Sequence, residues 1–400
     1  MDVIEINLHD NPEEFIKFMG VIKNIKNFFV YSLIRMNECI KQQLTGFEIT
    51  NNLKFGTVFT DHMLKMEYDR NRGGWQQPEI TKFEKLTLHP AAKVLHYATT
   101  LFEGMKAFRG VDGKIRLFRP FLNLQRLNKS AEKACLPKVN KYVLLNCIKK
   151  LVSVDESFVP FTENYSLYIR PTIIGTDPIL GINVSSKALL YVIMSPCGAY
   201  FDSGFKPVRL YADPNYVRAW IGGTGDAKIG SNYGPTIHVQ QKAENAGCQQ
   251  VLWLYGPDEQ LTEVGSMSIF AHYINDKGEH ELLTPPLNGL ILPGITRQSI
   301  LDLAKEWNEF NVVEKNFTMS ELIRLHKEKR LLELFGAGTA CIICPISEIL
   351  YRGQIIKIPI NSQSNLLYLR FYKTLMDIFY GRISHPWTVE ISSEQYTLEI

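Results

Sequence analysis

Lys228 stands among five glycines in the stretch GGTGDAKIGSNYGPT (222–236). A lysine in a glycine-rich loop can bind nucleotide phosphates, but that loop requires it directly after a glycine and before Ser or Thr. Lys228 lies between Ala227 and Ile229, which excludes such a loop. A lysine amine that loses its proton in a desolvated or positively charged site is a nucleophile and a base. The glycines would let a bulky group approach such an amine, although spacing alone favours an ordinary solvated lysine.

Two of the seven cysteines, Cys341 and Cys344, are separated by two residues. This spacing is typical of redox pairs and of half a zinc site. The sequence contains no second CxxC and no HxxxH, so we expect no metal site. Two buried thiols in a strand and a turn are the simpler interpretation, and the spacing by itself favours it.

The composition is that of a soluble globular protein with two domains. The chain has 400 residues, of which 45% are hydrophobic. Lys and Arg number 44 and Asp and Glu 41, a net charge of +3, so we expect no nucleic-acid surface and a small-molecule partner. No apolar run approaches the roughly 18 residues that a membrane span needs, so we expect no membrane partner.

Cysteine usage and the first residues bear on the compartment. An odd number of scattered cysteines fits a reducing environment. The acidic start MDVIEINLHDNPEEF argues against a leader at residue 1, so we expect a cytoplasmic protein. From Met19 to Asn37 the chain has basic but no acidic residues, so a product that starts at Met19 would resemble a mitochondrial presequence.

Apolar periodicity predicts the elements that position these groups. In the first half we predict strands over 55–68, 105–118, 165–175 and 187–195 and helices over 121–136 and 141–152, with a hairpin turn at Asp112-Gly113. After the turn-rich stretch 176–186, strands (207–213, 249–256, 311–317) alternate with helices (235–247, 294–307, 318–329). Thr318 and Glu321 form a capping box for the last helix.

These elements predict an α/β (α+β) fold with two domains. We expect an N-terminal extension of unknown role (1–48) and a small α+β domain (49–201) that ends after an interdomain loop at 176–186. A larger α/β domain (202–400) follows.

Five long segments share one family's sequence: LFEGMKAF (101–108), GGTGDAKIGSNYGPT (222–236), QQVLWLYGPDEQLTEVGSMSIF (249–270), PPLNGLILPGITRQSILDLA (285–304) and FGAGTACIICP (335–345). They closely resemble the branched-chain amino-acid aminotransferases of the animal type, which are fold-type IV enzymes that use pyridoxal 5'-phosphate. The resemblance runs from about Phe55 to Trp387. It implies an active site between two domains, and a homodimer in which a loop of the second subunit, here 176–184, completes each site.

The resemblance also implies the cofactor-binding residues. Lys228 would form the Schiff base and is the expected catalytic residue. A pyridine ring accepts electrons best when its nitrogen stays protonated, and Glu263 matches the family glutamate at that nitrogen. Tyr233 would hydrogen-bond the phenolic oxygen of the cofactor. The phosphate would be bound by Arg126, Thr339 and the amides of Ile295 and Thr296, which open a predicted helix.

Substrate contacts follow from the same resemblance. Aromatic side chains would form the pocket walls, namely Phe55, Phe102, Tyr168 and Tyr200. Tyr97 and the amides around Thr339 and Ala340 would hold the substrate carboxylate, and Arg170 would accommodate the side-chain carboxylate of glutamate. Ser266 replaces a common family threonine, and Cys341 with Cys344 matches a peroxide-sensitive switch. Taken singly, each aromatic residue is more often a packed core residue.

The implied activity is the reversible transfer of the amino group of L-leucine, L-isoleucine or L-valine to 2-oxoglutarate. A D-amino-acid aminotransferase or an aminodeoxychorismate lyase would share Lys228 and Glu263. A catalytically silent family member would keep the fold without turnover. A dehydrogenase is disfavoured because no GxGxxG follows a predicted strand.

Overall fold

Two β-sheets organise the part of the chain that the structure describes. This computed structural model describes residue 53, residues 55–198, 206–359 and 366–391, and the backbone of residues 35–36. No helix within these ranges is long and apolar enough to cross a bilayer.

The first sheet is almost entirely antiparallel. Its strands are β1 (Arg35–Met36), β2 (His62–Asp69), β3 (Gly74–Trp75), β4 (Glu79–Lys82), β5 (Thr100–Phe102), β6 (Met105–Arg109), β7 (Ile115–Phe118), β8 (Ser166–Gly175), β9 (Lys187–Cys197) and β19 (Thr388–Ile391). Their order is β1-β4-β2-β9-β8-β6-β7-β19, with β3 beside β2 and β5 beside β8. Only the pairing of β1 with β4 is parallel among the described strands of this sheet.

The second sheet is mixed. Its strands are β10 (Val208–Ala212), β11 (Gln250–Tyr255), β12 (Gln260–Val264), β13 (Met267–Ile274), β14 (His280–Thr284), β15 (Asn311–Glu314), β16 (Leu331–Gly338), β17 (Ile342–Tyr351) and β18 (Gln354–Lys357). Their order is β12-β11-β10-β17-β16-β13-β14-β15, with β18 beside β17. Strand β10 is parallel to both neighbours and β14 is parallel to β15, whereas the other pairs are antiparallel.

Helices cover the sheets with their apolar faces. They are α1 (Lys93–Tyr97), α2 (Pro120–Lys133), α3 (Lys141–Val154), α4 (Thr236–Asn245), α5 (Ile295–Trp307), α6 (Met319–Lys327) and α7 (Leu367–Phe379). Helix α2 buries Leu124, Leu127 and Ala131, which recur every three or four residues, against the first sheet. Helix α7 lies between the sheets, where the ring of Phe379 stacks on the ring of Phe108 in β6 with the ring centres 4.6 Å apart.

Most elements predicted from periodicity are confirmed. The hairpin forms between β6 and β7, and Gly113 takes a positive φ of 79°. The capping box is present, because Thr318 accepts from the Glu321 amide and the Glu321 side chain accepts from the Thr318 amide. The strand predicted from residue 55 begins only at His62, since turns occupy the preceding residues and Gly56 has a φ of 69°.

The prediction missed several elements of the second half. Antiparallel strands β12, β13 and β14 follow one another where no element was predicted, and α7 was also missed. Strand β13 is buried along nearly its whole length. Its sequence therefore lacks the two-residue alternation by which a half-buried strand is recognised.

Two strands cross the predicted domain boundaries. Backbone residues Arg35–Met36, from the predicted extension, pair with β4, and Thr388–Ile391, from the predicted second domain, pair with β7. The first sheet is therefore built from segments that precede and follow the second sheet in the sequence. The domain limits stay a prediction.

Candidate active site

A cavity of about 250 Å³ lies between the two sheets. Its lining includes fourteen residues that the sequence predicted: Phe55, Phe102, Arg126, Tyr168, Arg170, Lys228, Tyr233, Glu263, Ser266, Ile295, Thr296, Thr339, Ala340 and Cys341. Strands β5 and β8 supply one side, and β12 and the turn after β16 supply the other. The chain thus brings together residues separated by more than two hundred positions.

The glycine-rich stretch presents Lys228 to the cavity. Its backbone is fixed by hydrogen bonds from the Lys228 amide to Ser130 Oγ at 2.8 Å and from the Phe102 amide to the Lys228 carbonyl at 3.0 Å. The Nζ atom lies 3.1 Å from the Tyr233 hydroxyl and 4.6 Å from the centre of the Phe102 ring. The amine therefore reaches the cavity from a backbone that is held on both sides.

The glycines of this stretch serve packing against the protein itself. A Cβ atom on Gly225 would lie 2.5 Å from Ala219 Cβ, and one on Gly230 would lie 2.4 Å from Thr100 Cγ2. Any larger residue would push the loop away from these neighbours. The sequence suggested that the glycines let a bulky group approach the amine. Gly225 and Gly230 instead allow the loop to pack closely against neighbouring parts of the chain.

Arg126 is buried at the base of the cavity with Glu103. Arg126 Nε donates to Glu103 Oε1 at 2.7 Å, and Nη2 donates to Oε2 at 2.9 Å. Its Nη1 donates to the Pro293 carbonyl at 3.0 Å, and Asn123 donates a further bond to Glu103. Burial alone would lower the pKa of Arg126, but the charge of Glu103 outweighs it and the pKa is raised. Arg126 therefore stays a cation, with N–H groups left to bind an anion.

Glu263 is buried on the opposite side. Its Oε2 forms an ion pair with Arg218, whose Nε lies 2.9 Å away, and its Oε1 accepts from the Leu292 amide at 2.8 Å. Burial raises the pKa of Glu263, although Arg218 opposes the shift. A carboxyl group in such an environment gains from a further positive partner in the cavity.

Helix α5 begins at the cavity wall. Its N-cap is Gly294, which offers no side chain to the first amides of the helix. A Cβ there would lie 2.8 Å from Ser268 Oγ, so glycine permits this close approach. The first amides of the helix and the helix dipole make the positions of Ile295 and Thr296 suitable for an anion, and Thr339 lines the same cavity.

Aromatic rings and one arginine form another wall. Phe55 and Tyr168 meet edge to face at 4.7 Å. Arg170 Nη2 donates to the Tyr168 hydroxyl at 3.0 Å, and its guanidinium lies 4.7 Å from the Phe102 ring centre. Gly104 makes room for the Tyr168 hydroxyl, because a Cβ would lie only 2.0 Å from it.

Of the predicted substrate residues, one lies outside the described residues and one described residue does not line this cavity. Tyr200 lies outside the described residues. Tyr97 ends α1 with its side chain partly exposed, and its hydroxyl donates to the Leu180 carbonyl in the 176–186 loop. Tyr97 is therefore outside the cavity of its own chain.

The two cysteines of the CxxC lie at the tip and start of β17. Cys341 lines the cavity with its Sγ 3.0 Å from Met267 Sδ, and Cys344 is buried. Burial raises the pKa of Cys341 to about 12 and raises the pKa of Cys344 as well. Both residues are free thiols. Within the described ranges no His, Cys, Asp and Glu side chains group to hold a metal ion.

Sequence reasoning missed several polar residues around the cavity: Glu103, Lys106, Asn123, Arg218 and Ser268. Glu103 lies in LFEGMKAF, but nothing in that segment indicates that it pairs with a residue 23 positions later. The one available signal was that Glu103 and Lys106 are charged residues in an otherwise apolar segment. Charged side chains are seldom buried without a partner, so such residues indicate a paired or functional group.

The fold and the site define a class IV aminotransferase. Residues 100–349 match the amino-transferase class IV family, and the chain belongs to it. It is 54% identical to the cytosolic branched-chain-amino-acid aminotransferase of Mus musculus, covering 85% of this chain and 88% of that protein. It is 53% identical to the mitochondrial enzyme of Bos taurus, covering 85% and 86%. The structure also resembles the PLP form of the branched-chain amino acid aminotransferase from Thermobaculum terrenum, with a TM-score of 0.65, 17% identity and coverage of 84% and 99%.

Proposed function

We propose that this chain is a branched-chain-amino-acid aminotransferase that uses pyridoxal 5'-phosphate. It transfers the amino group of L-leucine, L-isoleucine or L-valine to 2-oxoglutarate. The observation that carries the proposal is the position of the Lys228 amine in a cavity between Arg126 and Glu263, in a chain about half identical to enzymes of that name.

The side chains of the cavity fit this cofactor. Arg126, Thr339 and the amide ends of α5 suit a phosphate, and the buried carboxyl of Glu263 suits a protonated ring nitrogen. Lys228 supplies the amine and Tyr233 a hydroxyl within hydrogen-bond distance of it. When bound, pyridoxal phosphate supplies an electron sink that makes the substrate Cα proton acidic.

Lys228 is the base and acid of the reaction. With the cofactor bound, this amine would take the proton from the substrate Cα and return it to the C4′ carbon of the cofactor. Tyr233 orients the amine through its hydroxyl, and the fixed backbone of Lys228 holds it in reach of Cα. Glu263 would hold the protonated ring nitrogen of the cofactor.

Substrate choice rests on apolar walls. Each buried CH₂ contributes only about 0.8 kcal/mol, so several surfaces are needed to select a branched side chain. Phe55, Phe102 and Tyr168 supply such surfaces. Arg170, beside Tyr168, is suited to the second carboxylate of glutamate, which shares the site with the branched substrates.

A homodimer completes the site in this proposal. The 176–186 loop exposes Ile179, Leu180, Ile182 and Val184, of which Ile182 is 86% exposed. Apolar side chains grouped on one loop are typical of a contact surface. A partner subunit's loop of this kind, together with its Tyr97, would reach the cavity from outside. Sedimentation as a monomer at micromolar concentration, with full activity, would refute the arrangement.

We further propose a cytoplasmic location, with mitochondria as the alternative if translation starts at Met19. The homologues include cytosolic and mitochondrial forms. A fluorescent reporter fused after residues 19–50 separates the two, because diffuse fluorescence is expected in the first case and organelle staining in the second.

The decisive experiment is a spectrum of the purified protein before and after L-leucine. We expect visible absorbance of bound cofactor, its loss on adding L-leucine with release of one equivalent of 2-oxo acid, and its return with 2-oxoglutarate. D-Leucine is the control. Preference for D-leucine would instead indicate a D-amino-acid aminotransferase, and pyruvate release from aminodeoxychorismate a lyase. Cofactor absorbance that no amino acid alters would indicate a silent member.

A further inference from the structure

Lys106 is a buried lysine to which the proposed chemistry gives no role. It lies in β6 and is 7% exposed, and its Nζ donates a hydrogen bond to the Ala340 carbonyl at 2.8 Å. Lys106 is the cross-strand partner of Tyr168 in β8. Directly paired residues project from the same face of a sheet, so Lys106 leaves the first sheet on the side of the cavity.

The carbonyl that Lys106 binds belongs to a turn on the far wall. Gly338 pairs with Ile342 across the end of β16 and β17, so Thr339, Ala340 and Cys341 form the tip between them. Gly338 and these three residues line the cavity. The turn is therefore part of the second sheet, while the lysine that holds it belongs to the first.

The turn carries backbone strain. Ile342 has a φ of 64°, in the left-handed region that a β-branched residue rarely occupies. Such a conformation persists only where the surroundings impose it. The bond from Lys106 to Ala340, two residues earlier, is one such constraint. Because a peptide is planar, holding the Ala340 carbonyl also sets the direction of the Cys341 N–H.

The charge of Lys106 has no carboxylate partner. In the described part of the chain no Asp or Glu lies within ion-pair distance of its Nζ, and the titratable groups that act on it are the thiols of Cys197 and Cys341. Burial accordingly lowers the pKa of Lys106. An ammonium in such a place is stabilised by an anion that binds on the cavity side of the turn.

We propose that Lys106 is a positioning residue for the substrate. It holds the turn Gly338–Ile342 in the conformation that receives the substrate carboxylate, and it acts through the Ala340 peptide without touching the reacting atoms. This inference rests on the proposed aminotransferase function.

The test compares Lys106→Met with Arg109→Met in the holoenzyme. Arg109 is a matched control, because it lies in the same strand, is 8% exposed and also donates to a backbone carbonyl, that of Glu156 at 2.9 Å. Loss of a bond to a charged donor predicts KM values for L-leucine and 2-oxoglutarate raised about 10- to 100-fold in Lys106→Met. In Lys106→Met we expect a smaller change in kcat and unchanged visible absorbance of bound cofactor. Lys106→Arg should restore the KM values in part, and Arg109→Met should have the KM values of the wild type.

A second variant keeps Lys106 and loosens the turn. Ile342→Gly removes the conformational preference of a β-branched residue and widens the range open to the backbone, so KM should again rise several-fold. KM values within about twofold of the wild type in folded Lys106→Met, or in Ile342→Gly if the first variant does not fold, would overturn the inference. A wild-type protein that fails the L-leucine half-reaction would instead overturn the proposed function, so the two failures are distinguishable.

Discussion

Glu103 and Arg126 form a buried ion pair in which two guanidinium nitrogens meet the two carboxylate oxygens, at 2.7 and 2.9 Å. Glu103 has no exposed surface, and Asn123 donates to it from the same helix as Arg126. The pair therefore fixes an orientation in which Arg126 both reaches the Pro293 carbonyl and faces the cavity.

Replacing Glu103 by Gln should weaken cofactor binding. The amide keeps the shape but removes the charge, which leaves the Arg126 cation buried without its partner and free to turn. A loss of about 1.5 to 3 kcal/mol for a bond to a charged group predicts a dissociation constant about 10- to 100-fold higher. Titration of the cofactor-free protein with pyridoxal phosphate measures it. Glu156→Gln, which removes the carboxylate beside Arg109, is the control and should bind normally. Equal affinity in both variants would contradict this role of Glu103.

Replacing Lys228 by Ala should abolish turnover and the visible absorbance of the bound cofactor. No other amine is positioned 3.1 Å from the Tyr233 hydroxyl in the described part of the chain. Loss of a proton-transfer group alone costs about 10²- to 10⁴-fold in rate. Lys242→Ala, at a half-buried lysine over the Tyr216 ring, should behave as the wild type. Retained absorbance or retained turnover in Lys228→Ala would refute the assignment.

Adding a methyl group at Ser266 should shift substrate preference. Ser266 lines the cavity, so Ser266→Thr narrows it by about one CH₂, a group worth roughly 0.8 kcal/mol. We expect the ratio of kcat/KM for L-valine to that for L-leucine to rise by up to about fourfold. Competition between the two substrates, followed by chromatography of the oxo acids, measures the ratio. A ratio that falls would show that Ser266 does not bound the side-chain pocket.

Cys341 should react slowly at neutral pH. Its raised pKa keeps it as the thiol there, so its alkylation rate should rise about tenfold per pH unit well into the alkaline range, without levelling off below the pKa of about 12. Iodoacetamide labelling followed by peptide mass spectrometry measures the rate, with the exposed Cys135 as the internal reference. A Cys341 that reacts as fast as Cys135 at neutral pH, with peroxide or with iodoacetamide, would instead support the redox switch.

Replacing Lys93 by Met should loosen the 176–186 loop. Lys93 is 1% exposed. Its Nζ lies 3.3 Å from Asp177 Oδ2 and donates a hydrogen bond to the Asn183 carbonyl at 2.8 Å. Removing one partner of a buried pair costs about 3 to 5 kcal/mol. We expect faster proteolytic cleavage within the loop and weaker dimerisation by sedimentation. The double variant Lys93→Met/Asp177→Asn should recover part of the loss, and no recovery would mean that the two side chains are not coupled.

The sequence predicted well the features that repeat or that lie within one segment. The helical spacing of Leu124, Leu127 and Ala131 gave α2, and the cap formed by Thr318 and Glu321 gave the start of α6. The side chains around the cavity were found from the resemblance to one family, since their individual spacing carries no period. Fourteen of them do meet in one place.

The rest depends on contacts between distant segments. Nothing near Arg126 indicates Glu103 or Pro293 as its partners, and nothing near Ala340 indicates Lys106. Tyr97 was expected at the substrate but lies outside the cavity of its own chain. In the proposed homodimer it would reach the cavity of the partner subunit, and the structure of a single chain does not contain that contact. Strand β13 escaped prediction because burial on both faces erases the alternation that marks a strand.

Because Thr388–Ile391 pairs with β7, the first sheet can be completed only late in synthesis. Strand β7 pairs with β19 on its outer side, so its edge stays open until residue 391 has left the ribosome. An unpaired edge is a site where nascent chains join one another. The sheet that carries Phe102, Tyr168 and Arg170 is thus completed only after every strand of the second sheet has been synthesised.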